Sequence, residues 1–509
     1  MTLLALVEAC TSLAGDAVDR VRASSAADST VTLVTHDSRA AARGSVFVAI
    51  PGQRADGATF AADAVKRGAI AVVAERDPGV PGAVWLPTSS ARVALANLAA
   101  VVTGHPSREL TVAGVTGTNG KTTTAYLLAS IFDAAGLPSG RLGTVSFRVG
   151  PSPADERDAS HTTPEASDIQ RMLREMVRRG CRACAMEVSS HALAQHRVDH
   201  LQFAVAIFTN LTRDHLDFHG DMATYFAAKR RLFEMLPPGA PSIVNVDDPR
   251  GVELAQSLPN VTTYAIDKPA DVRATRIDST LQGLAFDVTT PSGVLAIRSP
   301  LVGKPNVYNI LGAVAAALAL GVDPPAIERG IAALEGVPGR FQVVSGPGDA
   351  VKVVVDYAHT DDALKNLLET ARSLTSGRII TVFGCGGDRD KTKRPLMGAV
   401  AGRLSDRVVL TSDNPRSEDP GRILDDIVRG LAPTPEPGAP SRATTPYVRQ
   451  PDRRTAIDVA VRTAEPGDLV VIAGKGHERY QIIADRTLPF DDVEVARAAL
   501  TGRRAASKV

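Results

Sequence analysis

The apolar run Leu110-Thr111-Val112-Ala113-Gly114-Val115 passes through Thr116 into Gly117-Thr118-Asn119-Gly120-Lys121-Thr122-Thr123 and then into the helix-like Thr124-Ala125-Tyr126-Leu127-Leu128-Ala129. Strand, glycine-rich loop and helix in that order confine the chain to an α/β architecture, because a helix starting directly from a strand end packs back onto a parallel sheet. Backbone N–H groups of such a loop, with those of the helix start, converge on phosphate oxygens. Lys121 adds a cation and Thr122 a hydroxyl suited to magnesium. The general phosphate-loop spacing would put glycine at position 115, where this chain has Val115.

The chain has 509 residues, too many for one hydrophobic core and enough for about three domains. Residues 1–106 hold short β-like runs at 31–34, 45–50, 69–74 and 83–86 and read as a small α/β domain. From Leu110 strands and helices alternate: helix 168–179, strands 183–188 and 203–208, helix 222–236 and strand 242–246. A β-rich insertion, 261–297, precedes a helix starting near Asn306. A second alternating block follows, with strands at 352–356, 378–383, 407–411 and 469–472 and helices at 362–374 and 392–404. The expected fold is α/β in three domains: a small N-terminal domain (1–106), a central phosphate-loop, mononucleotide-binding parallel-sheet domain (107–337), and a C-terminal Rossmann-like domain (338–509). The Pro-rich stretch Pro433–Pro446 reads as an exposed loop within the last of these.

Fifty-seven Lys and Arg against 56 Asp and Glu leave no overall field for nucleic acid or anionic lipid, so small-molecule partners are expected. The longest apolar stretch, Ile310 to Val322, is too short to span a bilayer, and Leu3-Leu4-Ala5-Leu6-Val7 has no basic leader; no membrane insertion and a cytoplasmic location are the expectations. Four scattered cysteines exclude a disulfide scaffold. Cys181 and Cys184 have redox or zinc spacing but no second ligand pair nearby, and read as two small buried thiols entering a strand.

Polar residues gather where strands end. Glu187-Val188-Ser189-Ser190-His191 closes one strand and Thr209-Asn210-Leu211-Thr212-Arg213-Asp214-His215 the next. Glu187 with Thr122 and nucleotide phosphates would make a magnesium site, and His215 could serve a second metal; either alone reads better as a hydrogen-bonded strand-end residue, and it is their common placement beside the phosphate loop that favours the metal. Lys229, within a helical apolar pattern, reads as a solvated-face lysine. In the C-terminal block, strand-end loops carry Gly386-Gly387-Asp388-Arg389, Asp413-Asn414-Pro415-Arg416 and Gly474-Lys475-Gly476-His477-Glu478. Their guanidinium, amide and carboxylate groups suit a zwitterionic amino acid, although Asp-Asn-Pro-Arg alone also fits a surface type I turn.

These motifs resemble the Mur ligase family, ATP-dependent amide-forming enzymes of bacterial peptidoglycan (cell-wall) synthesis. The likeness runs through Thr116–Thr122, which accounts for the unusual loop spacing, then Glu187–His191, Asn210–Asp217, Ala228-Lys229, Asn306-Val307-Tyr308-Asn309, Gly339-Arg340, Asp356-Tyr357-Ala358-His359 and Gly386–Arg389. Within the family the chain is most similar to the branch that adds the third amino acid, which implies UDP-N-acetylmuramoyl-L-alanyl-D-glutamate and meso-diaminopimelate as substrates and ATP and Mg2+ as cofactors. The resemblance implies that Gly117, Thr118, Asn119, Gly120, Lys121, Thr122, Thr123, Asn306, Arg340, Asp356 and His359 place ATP. It assigns Asp37-Ser38-Arg39, His161-Thr162-Thr163-Pro164, Ser189, Gln195 and Arg197 to the UDP-muramoyl dipeptide. Arg389, Asp413, Asn414, Arg416, Gly474 and Glu478 would bind diaminopimelate, and Thr122, Glu187, His215 and Lys229, the last carbamylated to N6-carboxylysine, would hold magnesium. Lys121, Glu187, His215 and Lys229 are thus the implied catalytic set, in an enzyme expected to be monomeric. Where the family has Thr-Pro-Asp after His359, this chain has Thr360-Asp361-Asp362. Competing expectations are the same reaction with L-lysine, a folylpolyglutamate synthase of related fold, and a nucleotide-binding scaffold without activity.

Overall fold

A computed structural model describes residues 1–52, 55–159, 161–346, 348–431 and 445–506. Residues 433–444 of the Pro-rich stretch lie outside them. The N-terminal unit is a parallel sheet in the order Leu33–Thr35, Ser45–Val48, Ala69–Ala74, Val84–Pro87. Helix Ala91–Thr103 seals it: Ser90 caps its start by accepting from the Val93 N–H, Gly104 ends it in the left-handed region, and Leu95 and Leu98 pack on Val46, Val48 and Val73.

The central sheet runs Gly293–Ser299, Gly283–Thr290, Val272–Thr280, Val261–Ala265, Ser242–Asn245, Val205–Phe208, Thr111–Thr116, Ala183–Glu187, Ser139–Leu142, Ser146–Arg148, Glu156–Asp158. From Val272–Thr280 to Ser139–Leu142 all neighbours are parallel. The strands beyond them at both edges are antiparallel hairpin partners. The β-rich segment expected as an insertion is therefore no separate body: Val261–Ala265 and Val272–Thr280 continue the parallel sheet, and the two strands after them turn back on its edge. In Thr111–Thr116, Val112 faces the layer built by helices Ala166–Arg178 and Met222–Glu234, while Ala113 and Val115 face helices Lys121–Ala134, Lys304–Ala319 and Pro324–Ala333. Each fully buried Leu, Ile or Phe in these layers contributes about 1.5–3 kcal/mol. Cys181 and Cys184 are free buried thiols, Cys184 within its strand, as the sequence reading expects.

The C-terminal sheet has the order Gln342–Val343, Lys352–Asp356, Leu469–Ala473, Ile379–Phe383, Arg407–Leu410, Tyr447–Arg449, parallel throughout except for its first strand. Its parallel strands end on one side, which brings the loops after Asp356, Phe383, Leu410 and Ala473 together. Among the described residues, no helix is long and apolar enough to cross a membrane.

Candidate active site

The glycine loop leaves strand Thr111–Thr116 with Gly117 and Gly120 at φ of +146° and +89°. A Cβ at Gly117 would lie 1.8 Å from Thr209 Oγ1, so only glycine fits where the next strand crowds the loop. That strand's end braces the turn: Thr209 Oγ1 donates to the Asn119 carbonyl (2.6 Å), Asn210 Oδ1 accepts from the Asn119 N–H (2.9 Å), and the Thr118 N–H reaches the Asn210 carbonyl (2.8 Å). Gly120, the N-cap of helix Lys121–Ala134, has no side chain with which to cap it, so the first-turn N–H groups stay available to an anion.

Two lysines meet on one carbonyl. Lys121 Nζ donates to Gly117 O (2.9 Å) and Thr118 O (2.8 Å), and Lys229 Nζ donates to the same Gly117 O at 2.7 Å. Burial, with the Lys121 charge beside it, drives the Lys229 amine well below the usual lysine range. Lys229 is 1 % exposed, so the solvated-face reading is wrong: it follows Tyr225 by four residues and precedes Leu232 by three, on the stripe its helix buries. Burial also lowers Lys121.

Glu187, at the end of its strand, is 1 % exposed and held on three sides. Its Oε2 accepts from Thr122 Oγ1 (3.0 Å) and Thr144 Oγ1 (3.0 Å), and its Oε1 from the Thr144 N–H (2.7 Å). His215 sits at φ +54° against His191, ring centroids 4.7 Å apart, with Nε2 3.3 Å from Asp214; burial lowers its pKa. Among the described residues no three His, Cys, Asp or Glu side chains gather as a metal cage.

A cavity of about 790 Å³ opens over these groups, between the central and C-terminal sheets. It is lined by Thr118 to Thr123, Glu187, His215, Lys229 and Asn306, and from the C-terminal unit by Arg340, Asp356 and His359. Side-chain contacts cross it: Arg340 Nη2 donates to Thr122 Oγ1 (3.1 Å), and Asn119 Nδ2 to Asp362 Oδ2 (3.1 Å). Asp356 accepts from the Phe341 and Ala358 N–H groups at 2.6 and 2.8 Å, and burial pushes its carboxyl up. Burial holds His359 down to about 4, its Nδ1 3.0 Å from the Tyr357 carbonyl. At the departure from the family pattern, Thr360 caps helix Asp361–Leu374 by accepting from the Ala363 N–H, so the absent proline leaves the helix start intact.

The dipeptide candidates form a chain of hydrogen bonds beside Glu187. Thr162 Oγ1 lies 3.0 Å from Thr144 Oγ1, Thr163 Oγ1 bridges the Glu187 carbonyl (2.9 Å) and the Ser189 N–H (3.1 Å), and Arg197 donates to Thr163 O (2.9 Å) and Gln195 Oε1 (2.7 Å). Arg197 also pairs with Glu165 at 2.9 Å. Thr162 and Ser189 line the cavity, whereas Thr163, Gln195 and Arg197 stand behind it. Ser38 comes from the N-terminal unit, where Asp37 and Arg39 pair with each other at 2.9 Å and His36 Nδ1 lies 3.4 Å from Ser167.

None of the amino-acid candidates lines that cavity. They cluster on the far side of Tyr357, whose ring meets His477 at 5.0 Å. Arg416, at φ +52°, donates to Gly387 O (2.7 Å), and Arg389 is exposed. Asp413, Asn414 and Glu478 surround Lys475 Nζ. Motif reading missed three contributors: Thr144, Lys475 and Arg453. Arg453 donates to the carbonyls of Ser412 (3.4 Å) and Ala473 (3.0 Å), one residue before Asp413 and Gly474.

Comparison with known proteins agrees with this geometry. Residues 30–109, 115–317 and 339–476 match "Mur ligase family, catalytic domain", "Mur ligase middle domain" and "Mur ligase, glutamate ligase domain". The chain is 47% identical over 480 residues, 94% of each chain, to UDP-N-acetylmuramoyl-L-alanyl-D-glutamate--2,6-diaminopimelate ligase of Solibacter usitatus. It is 46% identical to the protein of the same name from Geobacter metallireducens, over 91% of this chain and 93% of that one. A solved structure of a ligase of that name superposes with a TM-score of 0.66 at 34% identity, covering 95% of this chain and 97% of the other. With a phosphate loop, two parallel sheets facing one cavity, and likeness that extends from the first unit to the last, the chain belongs to the Mur ligase family.

Proposed function

We propose that this protein is an ATP-dependent ligase that joins meso-diaminopimelate to the D-glutamate side-chain carboxylate of UDP-N-acetylmuramoyl-L-alanyl-D-glutamate, in peptidoglycan precursor synthesis. The observation that carries the reading is the 47% identity, across 94% of both chains, to a ligase named for these two substrates. A carboxylate is a poor acyl donor because oxide would have to leave, so phosphorylation by ATP must come first, and the acyl phosphate then yields to an amine. Lys121 and the free N–H groups of the helix start neutralise charge on the transferred phosphoryl group. The amine attacks only in its neutral form, so its proton must pass to a base or to water. The exchange of ATP inside the cell makes the cytoplasm the place of work.

Thr122, Glu187, His215 and Lys229 are the residues that would hold magnesium, which when bound supplies charge neutralisation at the phosphoryl oxygens. The donor set fits in two respects. Glu187 and Thr122 offer hard oxygens, and magnesium needs few protein ligands when phosphates complete its shell. Burial, with the Lys121 charge beside it, pushes the Lys229 amine well below the usual lysine range, which favours the uncharged form that carbon dioxide can carbamylate to give a further oxygen anion. The imidazole of His215 is a softer match.

Phosphate release from ATP is the direct test. It should require both the UDP-muramoyl dipeptide and the amino acid, favour meso-diaminopimelate over L-lysine, and fall about 10²–10³-fold in Lys121→Met. No release with all three substrates, or full turnover by Lys121→Met, overturns the reading.

A further inference from the structure

Under the loops that end the C-terminal sheet lies a lysine that neither the motif reading nor the ligand assignments use. Lys475 is 0 % exposed, although it sits in a Gly-Lys-Gly turn where a solvated side chain would be expected. Its Nζ donates to Asn414 Oδ1 (3.0 Å), Glu478 Oε2 (3.0 Å) and Asp413 Oδ1 (3.4 Å). Asn414 uses three of its four hydrogen-bonding positions here: its Oδ1 also accepts from the Ile482 N–H (2.9 Å), and its Nδ2 donates to Glu478 Oε2 (2.9 Å). A buried ammonium persists only when paired, so the lysine and its three acceptors fix one another, and the loop after Leu410 is tied to the turn after Ala473.

Resting on the ligase reading, we infer that Lys475 is a positioning residue that sets selectivity for the amino acid by cancelling one of the two carboxylate charges of Asp413 and Glu478. meso-Diaminopimelate carries a second amino-acid end with both an ammonium and a carboxylate; L-lysine carries only the ammonium. With Lys475 in place the cluster of Asp413, Glu478 and Lys475 has a net charge of one negative, which accepts an ammonium without driving off the adjacent carboxylate that Arg416 can take. Without it the net charge is two negatives, which attract the ammonium of either substrate and repel the carboxylate of one.

The test is the ratio of kcat/KM for meso-diaminopimelate to that for L-lysine, read by phosphate release with saturating ATP and UDP-muramoyl dipeptide. Lys475→Met should lower the ratio about tenfold or more, mainly through KM for diaminopimelate, with KM for ATP unchanged. Lys475→Gln, which keeps much of the length and an N–H donor but not the charge, should lower it in the same sense and serves if the Met variant does not fold. Adding Asp413→Asn to either should return the ratio towards the wild-type value, because it restores the net charge. Loss of both substrates in equal proportion, with no recovery in the double variant, would mean that Lys475 is only structural and overturns the inference while leaving the ligase reading intact. A wild-type protein that couples neither amino acid overturns the ligase reading and the inference together.

Discussion

Arg453 and Asp492 form a wholly buried ion pair beneath the amino-acid loops, and removing one partner should cost far more than removing both. Each side chain is 0 % exposed, with Nε to Oδ1 at 2.8 Å and Nη2 to Oδ2 at 2.7 Å, a two-pronged match of guanidinium and carboxylate. Asp492→Asn leaves the guanidinium buried with neutral partners, the Ala473 and Ser412 carbonyls and the new amide, so the expected loss is about 3–5 kcal/mol. At roughly 2–4 °C per kcal/mol for a domain of this size, the C-terminal transition should fall by about 6–20 °C in calorimetry. Replacing the pair with apolar side chains, Arg453→Met with Asp492→Leu, should recover much of that loss, because no charge is then stranded. Activity should not recover with it: Ser412 and Ala473 lose the donor that fixes the residues before Asp413 and Gly474, so KM for the amino acid should stay raised while KM for ATP stays normal. Destabilisation by Asp492→Asn below about 1 kcal/mol would show that the pair behaves like an exposed one and refute the energetic argument. A double variant with wild-type KM for the amino acid would refute the positioning argument.

Two further outcomes follow from single positions. Gly117→Ala places a methyl group 1.8 Å from Thr209 Oγ1 at a φ of +146°, so the loop must shift; nucleotide affinity by titration calorimetry should fall about tenfold or more, and an unchanged affinity would contradict the crowding argument. Arg394, followed by the Asp388 N–H, holds the Glu418 carboxyl down to about 2 from the usual 4.5, so its contribution to stability is complete above about pH 4.5 and disappears as pH falls through 2. Glu418→Gln should therefore lower stability at neutral pH and flatten its decline over that acid window, and an unaltered slope in denaturant unfolding would count against it.

Much of this architecture is legible in the chain because parallel α/β folds write their periodicity plainly. Strand Ala69–Ala74 and strand Lys352–Asp356 have the limits that the apolar runs imply, whereas the helix expected from Thr124 begins three residues earlier, at Lys121. The phosphate loop is legible because glycine at 117 and 120 is required by backbone geometry, which leaves a local mark. Lys229 shows the converse: its place on the buried stripe was visible in the spacing from Tyr225 to Leu232, but a lysine's usual preference for water outweighed the pattern. Lys475 left no such trace, since its burial depends on Asp413 and Asn414, some 60 residues earlier. Thr144 is equally silent, being one threonine in a loop that meets Glu187 only after the sheet forms. The segment 261–297 reads as an insertion because its strand pattern cannot tell which sheet it joins.

The hydrogen bonds from Arg340 to Thr122 and from Asn119 to Asp362 make the cavity above the glycine loop a joint property of two bodies. Whatever binds there more tightly in this seated arrangement must also favour that arrangement, by an equal amount of free energy. Substrates on opposite sides of the seam are then thermodynamically linked even before they meet, so occupancy by one becomes a term in the affinity for the other.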